Sequence, residues 1–182
     1  MSSPVTTLNE AQAAAGSARD FSGVYAEFFP FVWRCLRGLG VPEPSLDDAA
    51  QDVFVVVHRR LAEFAGRSSL RTWLYGIVRN VASNQRRGTA RQRHTQPLDE
   101  ELPSRGPGPL ERAEEAEAAA FVQHFLTTVE PKRREVFILG LLEEMPIPEV
   151  AAALSIPLNT AYTRLRLVRT EFQKALAAKD LR

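Results

Sequence analysis

The sequence predicts an all-α protein built from two small helical domains joined by a flexible linker. Three observations carry that expectation. From Phe21 to about Arg87, apolar residues recur at helical spacing, with few breakers other than Gly38 to Pro44. Between Gly88 and Pro109 the chain places Pro97, Pro103, Gly106, Pro107, Gly108 and Pro109 among polar residues, too proline-rich for helix and too polar for a core. A second helical block follows, to Leu176, and neither block shows strand-like alternation of useful length. The expected division is a loose Ala-, Ser- and Thr-rich tail over 1–20, a first domain over 21–87, a linker over 88–118 and a second domain over 119–182.

Composition narrows the function classes. The 182 residues are 45% apolar and 25% charged, values of an ordinary globular protein that can bury a core. The longest compact apolar stretch, Val53 to Val57, is far too short to cross a bilayer, and the first twenty residues lack a basic cluster followed by an apolar run. A cytoplasmic protein without membrane insertion is expected. Cys35 is the only cysteine, which excludes an internal disulfide, and it reads as a small core residue beside Val32 and Leu36. His58, His94 and His124 lack ligand-like spacing, so no metal site is expected. No phosphate-binding glycine loop, nucleophile elbow or His-Glu metal pattern is present, so neither an enzyme nor a cofactor is expected.

The net charge is only +1, which names no partner, but its distribution is uneven. No acidic residue occurs between Glu63 and Asp99, while Arg67, Arg71, Arg79, Arg86, Arg87, Arg91 and Arg93 fall in that gap. A field of one sign suits a polyanion.

Within the first domain, Ser45 to Phe64 reads as a helix, with Ser45 and Asp48 resembling a capping arrangement. Leu46, Ala50, Val53, Val57, Leu61 and Phe64 form its inward stripe, and Asp48, Gln51, Asp52, Val55 and Arg59 its outer face. An exposed Val beside carboxylates fits a protein-binding face; acids that only complement the helix dipole fit equally well. Ser68 to Arg87 reads as a second helix, with Leu70, Leu74, Ile77, Val78 and Val81 buried. Trp73, Asn80 and Arg87 share one edge, and Tyr75, Arg79 and Arg86 the other. Basic groups interleaved with aromatics suit single-stranded nucleic acid, with phosphates on arginine and unpaired bases stacked on rings. For Trp73 alone, a core position fits as well.

The linker carries Asp99, Glu100 and Glu101, and the acidic stretch Glu111 to Glu117 opens the next helix at the positive end of its dipole. Near the end of the chain, Pro148 to Leu154 forms a short helix with Val150, Ala151 and Leu154 inward. Ser155-Ile156-Pro157-Leu158 breaks it, Ile156 plugs the angle, and Asn159 or Thr160 caps the following helix. There Ala161, Leu165, Val168, Phe172 and Leu176 share one stripe. Opposite lie Tyr162, Thr163, Arg166, Thr170 and Lys174, flanked by Arg164 and Arg169. This is the make-up of a recognition helix in the major groove; a solvated helical hairpin is the alternative.

Three segments now resemble one family, the extracytoplasmic-function sigma factors of bacterial RNA polymerase. Ser45-Leu46-Asp47-Asp48-Ala49-Ala50-Gln51-Asp52-Val53-Phe54 is similar to the family's core-binding helix, and Ser69-Leu70-Arg71-Thr72-Trp73-Leu74-Tyr75-Gly76-Ile77-Val78-Arg79-Asn80 to its promoter-melting helix. Glu130-Pro131-Lys132-Arg133-Arg134-Glu135-Val136-Phe137, with Glu149-Val150-Ala151 and Leu154-Ser155-Ile156-Pro157, resembles its fourth region. The matches lie in the family's order across most of residues 21 to 176.

The resemblance implies a factor that binds core polymerase, directs it to promoters and helps melt the minus-ten region. Asp48, Gln51, Asp52, Phe54 and Val55 would dock on the clamp helices of the largest subunit, with the flap of the second largest as a further partner. The implied minus-ten surface comprises Arg67, Ser68, Ser69, Arg71, Thr72, Trp73, Tyr75, Arg79, Asn80, Arg86 and Arg87. Trp73, Asn80 and the loop from Ala65 would hold flipped bases, and the arginines phosphates. Asn159, Thr160, Tyr162, Thr163, Arg164, Arg166 and Arg169 would read the minus-thirty-five element as duplex. The linker would pass through the polymerase near the RNA exit path. An anti-sigma protein is an expected partner, and the free chain is expected to be a monomer. Two departures stand out: Tyr162 replaces a basic residue of the family pattern, and Leu167 stands where one is common. Both leave the DNA preference open. A stand-alone helix-turn-helix regulator would need dimeric half-sites, and no additional dimerisation helix is visible. A protein-only adaptor would lack Trp73, Asn80 and the basic stretch.

Overall fold

The structure, a computed structural model, describes residues 20–92 and 109–180, with side chains placed over 20–87 and 116–179. The tail over 1–19, Arg93, His94 and the linker acids Asp99, Glu100 and Glu101 lie outside the described residues. Among the described residues there are seven α-helices and no strand.

Helix α1 (Phe21–Gly38) buries Val24, Phe28, Phe31, Val32, Cys35 and Leu36, one stripe at helical spacing. It ends in a Schellman motif: Val41 N–H donates to Leu36 O at 3.1 Å and Gly40 N–H to Arg37 O at 2.9 Å. Gly40 supplies the positive φ of 82° that this closure needs, and buried Val41 and Leu36 provide its apolar contact. Cys35 is fully buried, and burial pushes its thiol well above the usual range.

Helix α2 (Leu46–Arg60) follows a 3₁₀ turn at Glu43–Ser45. Ser45 itself sits in helical conformation and its side chain makes no capping bond, contrary to the expected pairing with Asp48. The preceding turn already continues into the helix, so there is no free first turn to cap. Helix α3 (Leu70–Gln92) starts two residues later than expected and runs five residues further. Ser69 is its cap: the side-chain oxygen accepts from Thr72 N–H at 3.2 Å. Helices α1, α2 and α3 pack pairwise into a bundle.

Helix α4 (Pro109–Thr128) begins within the expected linker, with proline at the position where a missing N–H costs nothing. Helix α5 (Pro131–Phe137) has Pro131 at its start, and Glu130 accepts from Lys132 N–H at 3.2 Å. It continues as a π turn over Ile138–Leu142, in which Glu143 N–H reaches Ile138 O at 2.9 Å. Helix α6 (Ile147–Leu154) stops at Ser155, which adopts φ 54° and ψ 47°. Helix α7 (Leu158–Asp180) completes the chain. Phe121, Phe125, Phe137 and Phe172 meet in tilted and edge-to-face pairs, 5.1 to 5.9 Å between centroids, and join α4, α5 and α7.

The two helical units are not beads on a string. One continuous core runs from Val24 to Val168, α3 packs on α6, and the π turn packs on α1. At Gly38 an added Cβ would come within 2.9 Å of Ile138, so the absence of a side chain sets this close approach.

Candidate nucleic-acid and polymerase interfaces

The turn between α6 and α7 builds a helix-turn-helix. Ser155 in left-handed conformation ends α6, Ile156 N–H returns to Ala151 O at 3.0 Å, and Ile156 packs on the core as expected. Asn159 and Thr160 do not cap α7. Thr160 and Ala161 N–H both donate to Pro157 O, at 2.9 and 3.1 Å, so α7 starts at Leu158 and both residues lie in its first turn. Ala161 and Val168 are buried, Leu165 and Phe172 partly so, while Leu176 is exposed.

The outer face of α7 is open. Tyr162 is 51% exposed, and Asn159, Thr163, Arg166 and Arg169 are exposed beside it. Thr160 and Arg164 are half-buried. Among the described residues no ion pair involves the Arg166 or Arg169 guanidinium. Their donors are available to a phosphate or to a guanine edge.

On α3 the expected surface divides. Arg67, Ser68, Arg71, Arg79, Asn80, Arg86 and Arg87 are exposed, Ser69, Thr72 and Trp73 half-buried. Gly66, at φ 66°, turns the loop that leads to Ser69. Trp73 packs against Phe64 with the rings tilted at 50° and their centroids 5.3 Å apart, and it stays half-buried, so it is anchored on one side yet reachable. Arg87 Nη2 donates to Asn84 Oδ1 at 2.8 Å. Tyr75 does not belong to this surface. It is 0% exposed, and burial pushes its phenol well above the ordinary range. The position follows Leu74 and precedes Val78 by three, which turns it into the bundle rather than along the Arg79 edge.

On α2, Asp48, Gln51 and Asp52 are exposed and Val55 is 47% exposed, an isolated large apolar group among acids. Asp52, Val55 and Arg59 face Val81, Asn84 and Gln85 of α3 across an open groove. Phe54, expected at the docking surface, is 3% exposed instead. Phe21, Tyr25 and Phe29 close over it at 6.4, 4.6 and 6.1 Å. These rings recur every four residues along α1, a signal present in the sequence that would have predicted an aromatic cover for Phe54.

Sequence reasoning also missed a set of contacts between the two units. Arg34 Nε and Nη2 donate to Glu143 Oε1 and Oε2, each at 2.7 Å, in a fork-to-fork pair. The Glu143 side chain is only 2% exposed, and its hydrogen bonds push the Arg34 guanidinium further up. Arg71 Nη1 donates to Glu143 O at 3.3 Å, Ser69 Oγ to Glu149 Oε2 at 2.5 Å, and Arg79 Nε pairs with Glu135 Oε1 at 2.9 Å. Glu135 is pushed up by burial, against the opposing pull of Arg79 and Arg86. Contacts between residues up to 109 positions apart leave no local pattern to read.

Neither helix α3 nor helix α7 stands in a chemical cluster. Among the described residues no group of three or more His, Cys, Asp or Glu side chains could hold a metal ion, and no helix is long and apolar enough to cross a membrane.

Comparison with known proteins fits this layout. The family model for Sigma-70 region 2 matches residues 24–92, and that for Sigma-70 region 4 matches residues 122–172. RNA polymerase sigma factor CnrH of Cupriavidus metallidurans is 28% identical, with 92% of each chain covered. RNA polymerase sigma factor YlaC of Bacillus subtilis is 29% identical over 82% of this chain and 86% of its own length. The structure of CnrH in complex with the cytosolic domain of CnrY matches with a TM-score of 0.66 at 27% identity, covering 92% of this chain and 94% of that one. Sigma factor RpoE of Bartonella quintana, solved with the anti-sigma factor NepR, shares the fold at a TM-score of 0.68 and 20% identity, over 88% of this chain and 98% of that one. With both conserved regions present in order on an all-helical frame, the chain belongs to the sigma-70 family, as an extracytoplasmic-function sigma factor that directs RNA polymerase to initiate at promoters.

Proposed function

We propose that the chain assembles with core polymerase through the outer face of α2, reads duplex upstream DNA with α7, and captures melted minus-ten bases along α3 without covalent chemistry. The observation that carries this reading is α7 itself. A helix-turn-helix presents Tyr162, Thr163, Arg166 and Arg169 on one exposed face, while Ala161 and Val168 hold the opposite face to the core. Exposed Asp48, Gln51, Asp52 and Val55 supply the polymerase-binding face, one apolar group among charges that can steer assembly. Phosphate contacts fix register, and half-buried Trp73 with exposed Asn80 offers a platform and a hydrogen-bonding edge for an unstacked base.

The same reading puts the chain in the cytoplasm and gives it an anti-sigma protein as a second partner, as for the relatives solved in complexes. Stacking returns about 1–3 kcal/mol per base against an unstacking cost of a few, so melting also draws on the polymerase.

The test is reconstituted transcription: core polymerase with and without the chain on genomic fragments, with transcript starts mapped. Chain-dependent starts that share two upstream elements support the reading. Core binding without starts argues for an adaptor, and no core binding for a stand-alone regulator.

A further inference from the structure

Three neighbours on the outer face of α7 lack the donors that most base edges call for. Thr163, Leu167 and Thr170 are all exposed, and spacings of four and three residues set them in one row along the helix. Thr163 Oγ1 donates to Asn159 O at 2.9 Å, and Thr170 Oγ1 donates to Arg166 O at 3.0 Å. Each hydroxyl proton is committed to the helix's own backbone, as a threonine within a helix allows. What the two threonines still offer a partner is a γ-methyl group and a lone pair. Leu167, 42% exposed between them, adds an isobutyl group with no polar atom.

We propose that this row reads thymine: in the major groove, Thr163 and Leu167 close on the C5-methyl group of a thymine in the upstream element. Leu167 thereby joins the residues that set promoter preference. The inference rests on the reading of α7 as the recognition helix.

The thymine methyl is the apolar feature among the base edges of the major groove. Guanine presents acceptors there and needs donors, which the row has turned inward. Leu167 can pair with no polar edge, so packing it on one would remove water without replacing the lost hydrogen bond. The surroundings select DNA as the occupant. Arg166 and Arg169 stand exposed on the same helix, and among the described residues neither guanidinium forms an ion pair, so the row is framed by groups that attract phosphate.

The experiment uses holoenzyme reconstituted from the full chain and core polymerase, on a promoter found by mapping starts. Each thymine of the upstream element, on either strand, is replaced in turn by deoxyuridine, which lacks only the C5-methyl, and binding is measured at fixed salt. One replacement should weaken wild-type binding about three- to fivefold, as expected for one buried methyl group. Leu167→Ala, an exposed change to a strong helix former, should lose a similar factor on the thymine duplex and show little further loss on the uracil one. Thr163→Val, which keeps the methyl and removes the hydroxyl, should retain the thymine preference. Uracil tolerated at every position overturns the proposal, and so does a uracil penalty undiminished in Leu167→Ala. Weakened assembly of Leu167→Ala with core polymerase, with the uracil penalty intact, makes Leu167 a protein contact instead and equally overturns it. Arg166→Ala reports separately: if it lowers affinity for thymine and uracil duplexes alike while any of those results is found, α7 remains the recognition helix and only the thymine assignment falls. No chain-dependent protection of an upstream element removes both.

Discussion

Helices α3 and α7 carry similar chemistry and differ in its availability. Both bury an apolar stripe and turn arginines outward beside an aromatic ring, Trp73 on one and Tyr162 on the other. On α7 the Arg166 and Arg169 guanidinium groups meet no carboxylate among the described residues. On α3 Arg79 is held at 2.9 Å by Glu135, and Ser69 and Arg71 are turned to the other unit. The difference teaches that charge content alone does not define a nucleic-acid surface. What matters is whether the rest of the fold has already filled the donors.

The sharpest way to break the comparison is Trp73→Ala. Open-complex formation, followed by permanganate reactivity, should fall on the order of 10- to 100-fold from loss of one stacking platform, while polymerase binding is unchanged. Unchanged melting would remove α3 from the DNA side altogether. Arg166→Ala tests the open partner. A base contact would cost about 1–3 kcal/mol at one position of the upstream element, whereas a phosphate contact would lower affinity for all sequences alike and reduce the salt slope. Footprinting on a set of promoter variants separates the two.

A third face calibrates both. Asp52→Arg, on α2, should weaken holoenzyme assembly about tenfold by reversing a charge on the face proposed to dock on polymerase, as a change from attraction to like-charge repulsion does. Its effect on DNA binding by preassembled holoenzyme should be small. The smallest effect is expected for Tyr75→Phe. The Tyr75 hydroxyl is buried with no hydrogen-bond partner among the described residues, so its removal should leave stability within about 1 kcal/mol of wild type or raise it. Thermal unfolding checks the stability and the transcription assay the function. A loss of melting would return Tyr75 to the DNA surface.

Much of this was legible in the chain before the structure. The stripe Leu70, Leu74, Ile77 and Val78 is buried as its spacing predicts, and so are Val150, Ala151 and Leu154 of the helix-turn-helix. Amphipathic periodicity records which way a residue faces relative to its own helix, and these residues obey it. Tyr75 and Phe54 were misread because they flank the stripe, where a neighbouring helix decides their fate. For Phe54 that neighbour is α1, with its rings at every fourth residue. Caps were harder still. Ser69 caps α3 and Ser45 caps nothing, although both precede apolar helices, because only one has a free first turn beneath its hydroxyl. The pairing of Arg34 with Glu143 depends on two segments meeting in space, which no local pattern encodes.

The five-residue turn at Ile138–Leu142 makes the pairing of the two units a matter of chain length as much as of side chains. An α-helix advances about 100° per residue, so deleting one residue there would restore ordinary helical spacing and swing whatever follows by about that angle. Glu143 would then turn away from Arg34 with every charged group in the protein unchanged. A single-codon insertion or deletion in this short stretch would thus reset the strength of the association between the two halves while leaving the exposed faces of α3 and α7 unchanged in sequence.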